Sequence, residues 1–191
     1  MTMRTDEHPT PPPELPDRRR RPIAVFVIGG TAKSGKTTVA NYCAERLGTA
    51  AIALSSIIEP LVDAQFGLPR GTVARYRQID RDAFRQALIE TANALAERGE
   101  PPGLLCVKAG FRIVDGIRRV TELALAKAEA ERLGLRPIVI FVERPGMPIV
   151  DNTESDGLRA MADVEIVNDG DVTALRTKVD AALRTIGRQR R

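Results

Sequence analysis

Gly30-Thr31-Ala32-Lys33-Ser34-Gly35-Lys36-Thr37 satisfies the phosphate-cradling pattern G-x-x-x-x-G-K-[ST] at every position. It follows the uninterrupted apolar run Ile23 to Ile28. It precedes Thr38 to Leu47, where Val39, Tyr42, Cys43 and Leu47 recur at helical spacing and the pattern stops at Gly48. The motif therefore stands between a strand and a helix, the context that makes it mechanically meaningful. Gly35 and the loop around it let consecutive backbone N–H groups turn inward on an anion, and the unpaired N–H groups and dipole of the new helix point at the same spot. The pattern predicts that Gly30, Thr31, Ala32, Lys33, Ser34, Gly35, Lys36, Thr37 and Thr38 hold a nucleoside triphosphate. Lys36 would reach the β and γ phosphates, and the Thr37 hydroxyl would bind Mg²⁺.

A chain of 191 residues with 43% hydrophobic content suits one domain with a sizeable core. The longest apolar runs are too short to cross a bilayer and the amino-terminal segment is polar, so no membrane partner and a cytoplasmic location are expected. Cys43 and Cys106 lie in apolar-patterned segments without C-x-x-C spacing, which predicts reduced packing residues. The net charge of +4 resides at the ends: Arg18 to Arg21, Arg188, Arg190 and Arg191 supply seven positive charges, leaving 22 basic against 25 acidic residues. That distribution reads as solvated basic termini, and nucleic acid is not an expected partner.

Residues 1–21 carry five prolines from Pro9 to Pro16 and almost no apolar surface, predicting a disordered arm. His8, the only histidine, falls within it, so the folded part has none for general-base or metal work. Residues 22–187 form the expected domain and 188–191 a basic tail. Ala50 to Leu54 reads as a second strand, with Ser55 or Ser56 capping a helix from Ile57 whose face is Ile57, Leu61 and Phe66. Pro60 is placed in that helix's first turn. Residues 67–80 resist assignment. Asp80 or Asp82 opens a helix with Phe84, Ala87, Leu88, Leu95 and Ala96 inward and Gln86, Glu90, Asn93 and Glu97 outward. Leu104 to Val107 fits either strand or helix. Phe111 to Asp115 is a strand, 118–133 a helix, Pro137 to Val142 a strand, Val164 to Val167 a last short strand, and Asp171 caps a final helix. Five continuously apolar strands alternating with helices predict an α/β three-layer sandwich, a five-stranded parallel sheet covered on both faces.

Ligands of such sheets gather at the carboxyl ends of the strands, where the P-loop, Ser55-Ser56, Asp115 and Arg144 all fall. Asp115 is the candidate carboxylate, acting on Mg²⁺ directly or through water with the Thr37 hydroxyl as the other ligand, or orienting the acceptor; a strand-ending Asp that caps the next turn is the structural alternative. Arg118 and Arg119 open a helix, an unfavourable place for cations unless an anion lies nearby; a bound phosphate and simple solvation remain alternative explanations. Arg144 and Arg159, with the polar segment 145–162, read as a mobile lid bearing cations, with a solvated loop as the alternative. No N-K-x-D signature of a switch GTPase occurs. The chemistry expected is phosphoryl transfer to a small acceptor, with Lys36, Asp115, Arg118, Arg144 and Arg159 as catalytic candidates.

The P-loop, Phe111 to Arg118, Glu143-Arg144-Pro145-Gly146, Thr153-Glu154-Ser155 and Ala162 to Gly170, in that order, resemble the deoxynucleoside monophosphate kinases of bacteriophages and related bacterial proteins. The resemblance spans about Ile23 to Ile186. It implies the P-loop nucleoside monophosphate kinase fold, Mg-ATP as donor and a nucleotide acceptor beneath a closing lid. Carried over, Glu59-Pro60-Leu61 would lie near the acceptor, and Asn168 to Gly170 would form the turn beside the donor adenine. The lid lacks the family's histidine, and Val120-Thr121-Glu122 replaces its Asn-Glu pair. Asp151 to Ser155 also resembles animal-type phosphomevalonate kinases, and the general layout dephospho-coenzyme A kinase. A homodimer stays open, as does a nucleotide-dependent binding protein without turnover.

Overall fold

Ile23–Ile28 form β1, and all six side chains are buried. A strand that is apolar on both faces needs cover on both, and β1 obtains it at the centre of a five-stranded sheet. The strand order is β2 (Ala51–Ala53), β3 (Ile113–Asp115), β1, β4 (Arg136–Glu143), β5 (Val164–Val167), and every pairing is parallel. The expected three-layer α/β sandwich is the architecture found. This computed structural model describes residues 21–31, 33–80, 82–148 and 154–188. Nearly all of the predicted arm, Ala32, the centre of the predicted lid and the last three residues fall outside that set.

Alternate residues of β1 feed two cores, as the two-residue period of a strand requires. Val25 and Val27 join Ile113, Ile140 and Val142 beneath α1 (Lys36–Leu47) and α8 (Val172–Arg188), which contribute Val39, Cys43, Leu175 and Val179. Ala24, Phe26 and Ile28 join Val114, Val139 and Phe141 beneath α5 (Pro102–Lys108) and α6 (Val120–Arg132), through Cys106, Val107, Leu123 and Ala126. Each fully buried Val, Ile or Phe of β1 contributes about 1.5–3 kcal/mol. Both cysteines are free and buried, and burial pushes each thiol up to about 12, so both act as packing residues.

A third, smaller core joins α2 (Leu54–Gln65), α3 (Thr72–Ile79) and α4 (Arg85–Glu97) through Ile58, Val62, Val73 and Leu88. Several expectations change here. α2 starts directly at Leu54 with Ala53 as its N-cap, so Ser55 and Ser56 lie in the first turn and cap nothing. Pro60 consequently stands inside the helix, where it removes one backbone donor. The buried face is Ile58 and Val62, while Leu61 and Phe66 are 42% and 54% exposed. Apolar residues run from strand into helix without punctuation, and a start displaced by a few residues rotates the inferred face. The unassigned 67–80 stretch contains α3, entered through left-handed Gly71. Leu104 to Val107 is helical, with Pro102 at the start of α5, where its missing N–H costs nothing.

α4 opens at Arg85, after Phe84, rather than at either aspartate. Phe84 has φ 59°, a left-handed conformation that costs a non-glycine residue about 1–3 kcal/mol. Edge-on ring contacts with Phe66 and Tyr76, centroids 6.1 and 6.2 Å away, help hold it there. Asp63, buried on α2, accepts the N–H groups of Gly71 at 2.6 Å and Val73 at 2.8 Å and so fixes the start of α3. Asp63→Ala leaves two backbone donors unsatisfied. We expect a loss of about 1–3 kcal/mol, read as a lower denaturant midpoint at unchanged slope.

Candidate active site

The loop between β1 and α1 has the conformation its glycines foretell. Lys33 and Gly35 are both left-handed, with φ 50° and 97°, and Gly35 is the N-cap of α1. Backbone in this conformation can turn N–H groups toward one concavity at a helix N-terminus. The Lys36 ammonium donates to the Thr31 carbonyl and to Ser34 Oγ, both at 3.0 Å, and so lies along the loop. Asn168 is buried, and its side-chain amide donates to the Ser34 carbonyl at 2.9 Å. The contact observed for Asn168 is therefore a brace on the loop, and a Cβ on Gly35 would meet that amide at 2.7 Å. Gly170 packs against Ala174 at the start of α8.

β3 pairs with β1 so that Asp115 lies beside Val27, and this register delivers a buried carboxylate to the loop. Thr37 Oγ1 donates to Asp115 Oδ2 at 2.7 Å. One hydroxyl and one carboxylate, with phosphate and water oxygens completing the octahedron, is the donor set Mg²⁺ prefers. The two residues fit that ion, and among the described residues no cluster of three His, Cys, Asp or Glu forms a self-contained metal site.

Lys36, Thr37 and Asp115 line one side of a cavity of about 410 Å³. α4 supplies a stripe of Leu88, Ile89, Ala92, Asn93 and Ala96, so much of its apolar face lines a cavity rather than the core. Asn93, expected to face outward, is on this stripe and accepts from Arg119 at 2.6 Å. Arg77, Arg85, Arg118 and Arg119 bring four cations to the lining. Arg77 pairs with Glu59 and Arg85 with Asp82. The cations at the start of α6 have anions beside them. Glu122 accepts the N–H groups of Gly103, at 2.8 Å, and of Arg118, while Glu154 accepts that of Val120 at 2.7 Å. These carboxylates occupy the positive end of the helix dipole and offset Arg118 and Arg119.

Among the described lining residues, neither Arg144 nor Arg159 appears. Arg144 is exposed at the end of β4, its N–H donating to Thr31 Oγ1 at 3.3 Å. Arg159, on α7 (Ser155–Ala160), pairs with Glu143 at 3.0 Å and Glu165 at 2.7 Å and lies over the Phe141 ring. The hydrogen bond to Glu165, with the charges of Glu143 and Glu165, raises the guanidinium above its ordinary pKa. Glu59 reaches the site only through Arg77, and Pro60 and Leu61 do not line it. Asn93 and Glu122 escaped sequence reading because each lies in an otherwise ordinary amphipathic helix. Nothing in the sequence pattern around Arg77 and Arg85 indicates which way their side chains point.

The chain matches no family model, and no curated protein matches it in sequence. Solved structures similar to it include the APS kinase of Mycobacterium tuberculosis in complex with AMPPNP and APS, at 18% identity over 86% of this chain and 98% of that one, TM-score 0.46. A gluconokinase from Sinorhizobium meliloti is similar at 14% identity over 89% and 96%, TM-score 0.47. A shikimate kinase from Acinetobacter baumannii in complex with shikimate follows at 16% over 86% and 93%, TM-score 0.45. At such identities and TM-scores these likenesses carry nothing about chemistry. The loop and its parallel sheet make this a P-loop α/β protein on the chain's own geometry.

Burial raises the Glu122 carboxyl above its ordinary value of 4.5, against the two backbone N–H groups and the arginine charges that lower it. The native state then holds a proton that the unfolded chain has released, so this group's contribution to stability is full below about pH 4.5 and declines as pH rises toward the native pKa. Glu122→Gln removes the titration. The stability of the native sequence relative to this variant is expected to fall on raising the pH above about 4.5, followed by urea unfolding across a pH series.

Proposed function

We propose that the chain is a small-molecule kinase that moves the terminal phosphoryl group of ATP onto an anionic acceptor in the cavity beside the P-loop. The Thr37–Asp115 hydrogen bond on the wall of an arginine-lined cavity carries this reading. Phosphoryl transfer asks a protein mainly for positioning and charge stabilisation, and each part has an occupant here. The loop N–H groups and Lys36 would hold the donor's β and γ phosphates. Thr37 and Asp115 would hold Mg²⁺, which when bound neutralises charge developing on the transferred group. Arg118 and Arg119 stand on the turn at the end of β3, where donor and acceptor would meet. Arg144 and Arg159 are assigned to the lid. Residues 22–187 carry the activity, with 1–21 and 188–191 as appendages.

The acceptor is a (deoxy)nucleoside monophosphate, giving the diphosphate and ADP; the ordered motif set supports this choice. One observation favours a second acceptor class. No aromatic ring occurs among the described lining residues, while α4 offers an aliphatic stripe beside four arginines. A base would have no aromatic ring to stack on, only guanidinium planes, whereas an aliphatic phosphorylated acid such as phosphomevalonate would meet both the aliphatic and the cationic surface. The test is ADP release with Mg-ATP across deoxy- and ribonucleoside monophosphates, phosphomevalonate and dephospho-coenzyme A. A nucleotide that stimulates release supports the first reading, an aliphatic acid alone selects the second, and silence across the panel refutes the kinase. Lys36→Ala is expected to keep its fold and lose at least about 100-fold in kcat, by steady-state kinetics.

A further inference from the structure

Two consecutive residues touch both halves of the site. Glu154 Oε2 accepts the Val120 N–H at 2.7 Å, and the Glu154 N–H donates to the Arg118 carbonyl at 2.9 Å. The first bond holds the opening turn of α6. The second holds the backbone that carries Arg118 and Arg119 to the cavity. Ser155, the next residue, lies against the P-loop: a Cβ built on Gly30 would fall 1.9 Å from Ser155 Oγ and 2.7 Å from its Cβ.

Gly30 is not among the residues with positive φ, so the loop conformation does not itself require a glycine there. The space a side chain would need is taken by Ser155. Gly35 differs, since φ 97° calls for glycine on backbone grounds alone. The first and second glycines of the motif thus answer to different demands.

We propose that Glu154 and Ser155 are positioning residues that set the Arg118-Arg119 turn in register with the phosphate loop, and that Gly30 is the seat on which Ser155 rests. This rests on the kinase reading above. The dipeptide acts on the reaction through its neighbours: Glu154 through the α6 turn, Ser155 through Gly30. A displacement of about 1 Å between reacting groups can cost about 100-fold in rate, so a strap between the two walls bears on turnover.

The test uses the full chain, Mg-ATP and whichever acceptor stimulates the native sequence, with thermal unfolding run beside the kinetics. Gly30→Ala is expected to lower kcat at least about tenfold, and Gly30→Ala combined with Ser155→Gly to regain it to within about threefold, since glycine removes both clashing atoms. Glu154→Ala is expected to lower kcat about tenfold and raise the acceptor KM, with the donor KM within about twofold. Glu154→Gln keeps an accepting oxygen and should stay within about threefold of the native sequence. Full turnover in Gly30→Ala, or a loss that Ser155→Gly does not relieve, overturns the seat. If Gly30→Ala fails to fold, the Glu154 pair decides: native kcat in Glu154→Ala, or equal losses in both Glu154 variants, overturns the strap. Absence of turnover in the native sequence with every acceptor refutes the kinase reading and takes this inference with it, whereas an active native chain with indifferent variants refutes this inference alone.

Discussion

The pairing of β3 with β1 is the constraint on which the site depends. It sets Asp115 beside Val27, one residue short of the end of β1, and the P-loop then brings Thr37 to that carboxylate. A slip of one residue would turn Asp115 toward the opposite face and leave a buried carboxylate without the hydroxyl. The register is secure because Ile113 and Val114 enter different cores, each complete only when the strand faces the right way. Hydrophobic packing on both sides of the sheet therefore fixes a polar contact at the carboxyl ends of its strands.

A second constraint is electrostatic. Cations at the first turn of a helix oppose its dipole, and the start of α6 carries two. Glu122 and Glu154 resolve the conflict by accepting backbone N–H groups at that same turn. Arg119 is further held by Asn93 of α4. The cation-bearing turn is thus held from α5, from α4 and from the segment leading into α7. Charges held in place in this way would need no rearrangement during the proposed phosphoryl transfer.

The sheet was largely legible in advance. Ile23 to Ile28 and Val164 to Val167 have the limits read from their apolar runs, and Gly48 ends its helix as expected. Strands buried on both faces leave uninterrupted apolar runs, which little else imitates. The helical lobe between β2 and β3 was legible only in outline. α2 continues β2 without a break, α3 has too short an apolar pattern to declare itself, and α4 divides its apolar face between a small core and the cavity. The candidate donor side is local in sequence, and Asp115, singled out from its place at a strand end, is the carboxylate that Thr37 bonds. Asn93 and Glu122 were not singled out, since their significance comes from Arg119 and Gly103 on other elements.

By itself, the sequence determined the phosphate loop, the parallel sheet behind it and the residue types at the strand ends. Those properties reside in short contiguous stretches, where backbone conformation and apolar period follow directly from side-chain chemistry. Only the tertiary structure decided that Thr37 bonds Asp115, that Asn168 braces Ser34, that Arg77, Arg85, Arg118 and Arg119 share one cavity, and that Ser155 occupies the space beside Gly30. The physical reason is distance along the chain. Thr37 and Asp115 are 78 residues apart and Ser34 and Asn168 are 134 apart, and sheet register rather than any local pattern brings such groups within hydrogen-bonding reach.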